Sequence, residues 1–73
     1  MKFVLMNNTK RTITERELEI LRLVARGYTS SQIAETLSLS TETIKWYRKR
    51  LLSKCEAENT AEMITLAIEN KLI

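Results

Sequence analysis

The chain has no proline and a single glycine, Gly27, in 73 residues. That scarcity of turn-forming residues argues against a β-sandwich, which must reverse direction many times, and favours helices joined by short connections. Helix starts are written in the same sequence. Thr14 followed by Glu17 and Thr29 followed by Gln32 are capping boxes, and Asn59 followed by Glu62 is a third box-like start. The expectation is an all-α protein of one small domain.

Apolar spacing fills in the helices. After Thr14, the residues Leu18, Leu21, Val24 and Ala25 fall on one helical face, widened by Ile20 and Leu23. Gly27 is placed to supply the left-handed residue that ends this helix. A short second helix buries Ile33, Ala34 and Leu37. Ser38-Leu39-Ser40 is the turn, with Leu39 pointing inward and Ser40 capping the third helix. In that helix, about 41–54, Ile44, Leu51 and the inner edge of Tyr47 form the buried stripe, while Glu42, Lys45, Trp46, Lys49 and Ser53 fall opposite. Residues 55–59 read as a polar connection. The last helix, about 60–70, offers Met63, Ile64, Ala67 and Ile68 to the core and leaves Leu66 at its edge. Residues 1–12 are a lead-in: Phe3-Val4-Leu5-Met6 reads as a strand fragment or a core contact, and Asn7-Asn8-Thr9-Lys10-Arg11 as loop. The domain proper spans 13–73.

The formal charge of +3 is modest, but its distribution is uneven. Residues 41–54 carry Lys45, Arg48, Lys49, Arg50 and Lys54 against Glu42, whereas residues 55–73 carry Lys71 against Glu56, Glu58, Glu62 and Glu69. Positive charge gathered on one helix is the footprint of a phosphate-binding surface. A helix with a locked inner face and a donor-rich outer face fits the major groove of duplex DNA. Lys45 and Lys49 lie four apart and Trp46 adjoins them on the same side of the helix, so these three are the expected base contacts. Thr43, Arg48, Arg50 and Lys54 are suited to phosphates, as are Thr29, Ser30, Ser31 and Gln32 at the start of the second helix. The capped helix, three-residue turn and cationic helix together make a helix-turn-helix.

Other classes have less to stand on. The chain has no histidine, no aspartate, no glycine-rich phosphate loop and no cluster of metal ligands. Its glutamates are scattered, and Glu17 reads as a cap. Neither enzyme activity, metal, cofactor nor a small-molecule ligand is expected. The one cysteine, Cys55, cannot form an internal disulfide and reads as a small buried hydrophobe. The longest apolar run is too short for a membrane span, so a cytoplasmic location is expected. The rival reading is a helical interaction module that holds an acidic protein through Trp46 and the basic face. RNA or single strands fit less well, because one exposed aromatic is few for stacking.

From Ile13 to Ile73 the chain resembles the LuxR-type (LuxR/NarL) helix-turn-helix domain of bacterial transcription regulators. The resemblance rests on Thr14-Glu15-Arg16-Glu17-Leu18-Glu19-Ile20-Leu21, Ala25-Arg26-Gly27, Ile33-Ala34-Glu35, Leu37, Leu39-Ser40, Thr43-Ile44-Lys45, Lys54, Asn59, Glu62, Ala67, Leu72 and Ile73. It implies a four-helix domain, three helices forming the helix-turn-helix and a C-terminal fourth at the dimer contact, here through Glu62, Thr65, Leu66 and Glu69. It implies sequence-specific binding of double-stranded DNA as a homodimer on an inverted repeat, and it admits RNA polymerase as a protein partner. Such domains form the output end of longer regulators or stand alone.

Five departures from the family pattern set further expectations. Tyr47 replaces a frequent histidine and would keep its polar tip for phosphate. Cys55-Glu56-Ala57 stands where Leu-Gly-Val is usual, and Thr60 where a basic residue is. Lys71 replaces a glycine near the C-terminus, so Asn70 is expected to supply the left-handed cap. Trp46 is bulkier than the small residues often found at its position and should narrow the sequences tolerated.

Overall fold

A computed structural model of the chain describes residues 3–5 and 8–73. Met6 and Asn7, with the strand or core role expected of one and the loop role expected of the other, lie outside the described residues. The order is β1 (Phe3–Leu5), β2 (Asn8–Ile13), α1 (Glu15–Ala25), α2 (Ser30–Leu37), α3 (Thr41–Cys55) and α4 (Thr60–Glu69). The four helices are those expected, with boundaries within a residue or so. The loop reading of residues 8–11 does not hold: β1 and β2 pair antiparallel, Phe3 opposite Ile13 and Val4 opposite Thr12, with an irregularity between Val4 and Leu5. Polar composition suggested a loop there, but a two-stranded ribbon takes its hydrogen bonds from the backbone and needs no apolar alternation.

Each helix begins where a side chain accepts an otherwise unpaired backbone N–H. Thr14 and Glu17 form a complete capping box, as do Thr29 and Gln32, and Ser40 accepts from the Thr43 amide. Asn59 caps α4 by accepting from the Glu62 amide, but the reciprocal half differs from the expected box. The Glu62 carboxylate accepts from the Glu58 amide at 2.7 Å, one residue before the cap.

Each helix also ends in a paired reversal, in which two amides past the end return to carbonyls of the last turn. For α1 these are Gly27 to Val24 and Tyr28 to Leu23, and for α3 they are Glu56 to Ser53 and Ala57 to Leu52. Such an end needs a left-handed residue, usually glycine. Gly27 provides it once (φ 91°), while Ser38, Glu56 and Lys71 adopt φ of 58°, 55° and 59° without being glycine. Glu56 and Lys71, which stand where the resemblance leads one to expect glycine, thus take the left-handed conformation that glycine favours. Asn70, expected to be the left-handed residue, has φ −92°, and Lys71 takes that conformation itself. The Leu72 amide, bonded to the Ala67 carbonyl, fixes the turn one residue later than expected.

The core is built from Ile13, Leu18, Ile20, Leu21, Val24, Ile33, Ala34, Ile44, Leu51, Cys55, Met63, Ala67 and Leu72. Leu39 and the inner side of Tyr47 pack against it, as the spacing predicts. Two assignments are corrected. Ala25 is exposed, since one more residue of rotation carries it off the buried face of α1. Ile68 is 57% exposed, because α4 seats Met63 and Ala67 inward and turns Ile68 away. Ile13, the last residue of β2, is wholly buried, and it ties the ribbon to the helices.

Candidate nucleic-acid interface

α2, the turn at Ser38–Ser40 and α3 place one face of α3 in solvent. Ser40 fixes the start of α3 and its Oγ lies 2.8 Å from Thr43 Oγ1. Ile44 and Leu51 are fully buried and set the helix's rotation. With that rotation fixed, Glu42, Lys45, Trp46, Lys49 and Ser53 are all exposed, as the periodicity predicts. Trp46 is 54% exposed and is not part of the core. Lys45 and Lys49 are exposed and make no ion pair among the described residues. An open groove beside them is lined by Ser30, Glu42, Lys45, Trp46 and Lys49. Glu42, which was not among the expected site residues, puts a carboxylate at one edge of that groove. It sits in the first turn of α3, where the helix dipole favours negative charge.

The residues expected at phosphates divide by what already holds them. Thr29 and Gln32 are joined by reciprocal backbone bonds of 3.1 and 2.8 Å, and Ser31 is exposed beside them. Arg48 lies between two helix N-termini, donating to Ser30 Oγ on α2 and to Thr60 Oγ1 on α4, each at 3.4 Å. Tyr47 is half-buried with its ring edge-on to Trp46, centroids 5.0 Å apart.

Arg50 and Lys54 point elsewhere. Arg50 Nε donates to Glu17 Oε2 at 2.8 Å, and Lys54 Nζ donates to Glu17 Oε1 at 2.7 Å and to the Thr12 carbonyl at 2.8 Å. Glu17 is only 1% exposed, and its Oε1 also accepts from the Thr14 amide at 2.9 Å. The residue read as a cap is therefore also a buried counter-ion for two cations of α3. Burial by itself would raise the Glu17 carboxyl, but the bonds from Lys54, the Thr14 amide and Arg50 outweigh it and hold the carboxyl below its ordinary value. Lys54, with its side chain 17% exposed, has its charge turned inward, away from the surface where sequence had grouped it with phosphate donors. Arg50 is 49% exposed and keeps one side in solvent, its guanidinium carbon 5.4 Å from the centre of the Trp46 ring. Nothing in the local pattern announces these pairs, since Glu17 is separated from Arg50 and Lys54 by 33 and 37 residues.

Cys55 is buried, as expected, but it is the last residue of α3 and not the start of the polar connection. Burial, and secondarily the charge of Glu17, push its thiol above the ordinary value. On α4, Glu62, Thr65 and Glu69 are exposed and Leu66 is half-buried, sharing one face as the dimer expectation requires. Ile68 lies off that face, in a shallow groove with Arg22, Ala25, Arg26 and Ile73. Among the described residues there is no cluster of metal-ligating side chains, and no helix is long and apolar enough to cross a membrane.

Comparison with known proteins agrees with this geometry. Residues 11–67 match the family described as bacterial regulatory proteins, luxR family (GerE). The probable transcriptional regulator ycf29 of Cyanophora paradoxa is 40% identical over 67 residues, covering 92% of this chain and 32% of that protein. Among solved structures, the response regulator ChrA of a heme-sensing two-component system superposes with a TM-score of 0.80 at 33% identity, covering 84% of this chain and 30% of that one. VqmA of Vibrio cholera, solved as a ligand–DNA complex, gives 0.78 at 29% identity over 99% of this chain and 29% of its own. The chain spans about a third of the length of the curated relatives it matches.

Proposed function

The chain belongs to the luxR family of bacterial regulatory proteins, a family of DNA-binding transcription regulators and not of enzymes, and from that premise we propose that it reads specific duplex sequences with α3 in the major groove. The observation that carries the proposal is the exposed trio of Lys45, Trp46 and Lys49 on a helix whose rotation is locked by Ile44 and Leu51. The lysines donate to guanine O6 and N7, and the indole lies against thymine methyl groups. At the start of α2, Ser30 and Ser31 hold phosphate through backbone amides and hydroxyls, and Thr29 and Gln32 through the hydroxyl and side-chain NH2 that the capping box leaves as donors; Thr43, Tyr47, Arg48 and the solvent side of Arg50 flank the groove. Lys54 is left out of the phosphate set, because its ammonium serves Glu17 and Thr12.

Two copies act on an inverted repeat, joined through the α4 face of Glu62, Thr65, Leu66 and Glu69. A two-fold dimer imposes two-fold symmetry on its site. RNA polymerase is a further partner of such a DNA-binding domain, and the cytoplasm is where it meets its DNA. Selection of bound sites from a random duplex pool tests the whole reading. An enriched inverted repeat is the expected result, and a pool without enrichment would overturn it. The rival, capture of an acidic protein by the same basic face, predicts no binding to duplex DNA even at low salt.

A further inference from the structure

Trp46 is an exposed indole, and an exposed aromatic side chain ordinarily samples several rotamers. Here it is bracketed. Tyr47 meets it edge-on at 73°, and the Arg50 guanidinium, one helical turn later, lies over its ring. Arg50 is itself restrained, since its Nε–H is committed to Glu17 Oε2. Glu17 is held in turn by the Thr14 amide and by Lys54. A run of fixed contacts therefore leads from the cap of α1, through a buried carboxylate, to the indole on the exposed face of α3.

We propose that Arg50 is a positioning residue for sequence preference: pinned by Glu17, it holds the Trp46 indole in one orientation on the face that meets DNA. The inference rests on the reading that this face binds duplex. A pre-ordered side chain does not have to be immobilised on binding, so the contact it makes is stronger, and only with the base it already faces. Arg50 thereby affects discrimination at the Trp46 contact, beyond any uniform attraction its charge has for phosphate. An arginine that touched only phosphate would change affinity equally for all sequences.

The test uses the fact that Trp46 is the chain's only tryptophan. In free protein, time-resolved fluorescence anisotropy reads the indole's local motion directly. Arg50→Ala should increase the amplitude of fast motion while circular dichroism shows the same helix content. On duplexes varied one base pair at a time, Arg50→Ala should flatten the preference at the position that Trp46→Ala also flattens, by roughly two- to five-fold, the scale of an exposed cation–π contact. The double variant should discriminate no worse there than Trp46→Ala alone. An indole equally restrained in Arg50→Ala would overturn the proposal, as would an unchanged base preference or additive losses in the double variant. Failure of the unmodified chain to bind any duplex would sink the DNA reading, and the anisotropy result separates that failure from failure of the Arg50–Trp46 coupling.

Discussion

The two halves of α3 carry similar charge and use it differently. Lys45 and Lys49, in the first half and middle, have no acidic partner among the described residues and stand in solvent beside Trp46. Arg50 and Lys54, in the second half, converge on Glu17, the one buried carboxylate among the described residues. Counting cations along the helix gives a uniform basic element. The fold divides it into a part available to a polyanion and a part that anchors the helix to α1 and β2. The charge left without an acidic partner is thus smaller than the sequence suggests.

The largest effect that could break this contrast is loss of the anchor. Glu17→Ala removes the shared partner of two cations, one of them mostly buried, and should cost on the order of 3 kcal/mol in chemical denaturation. In a domain this small that is much of the stability. A loss under about 1 kcal/mol would mean that the pairs are surface decoration. Next in size is Lys49→Ala, which should leave the melting transition in place and weaken binding to a selected site by roughly 1–3 kcal/mol. An equal loss on scrambled duplex would remove Lys49 from the base contacts.

Acid acts on the anchor and not on the free lysines. The Glu17 carboxyl has a folded-state pKa below its unfolded value, so its stabilising contribution is present above the unfolded value and is lost as pH falls through the folded one. Denaturation midpoints should therefore decline below roughly pH 4, and Glu17→Gln should decline less steeply over that window. A parallel decline in both would assign the acid sensitivity to other carboxylates.

These effects also mark where sequence stops being informative. Capping is chemistry between residues three apart, so Thr14, Thr29, Ser40 and Asn59 announced the helix starts, and the periodicity around Ile44 and Leu51 announced which side of α3 faces out. The Glu17 pairs are not local. The capping role of Glu17 gave a sufficient reason for a glutamate at that position and hid the second one. The burial of Ile13 was missed for a similar reason: the residues before it have no repeating pattern, and the helices that bury it follow it in sequence. Ala25 and Ile68 failed differently: both lie near the border of an apolar face, where a small rotation of the helix decides exposure.

The smallest expected effect concerns the helix ends. Lys71 holds a left-handed conformation that costs a side-chain-bearing residue about 1 kcal/mol or more. Lys71→Gly should raise stability by roughly 0.5–1 kcal/mol, part of the relief being offset by glycine's greater freedom when unfolded. A destabilised variant would show that the lysine side chain makes a contact worth more than the strain.

The division of α3 is tested most directly by measuring Lys49→Ala and Lys54→Ala side by side, on a selected duplex and a scrambled one, across a salt series and under conditions where both variants are folded. Lys49→Ala should lower the ratio of selected to scrambled affinity about ten-fold or more, and Lys54→Ala should leave both that ratio and the salt slope at the values of the unmodified chain. A salt slope reduced by about one in Lys54→Ala would put its ammonium on a phosphate and contradict the inward anchor.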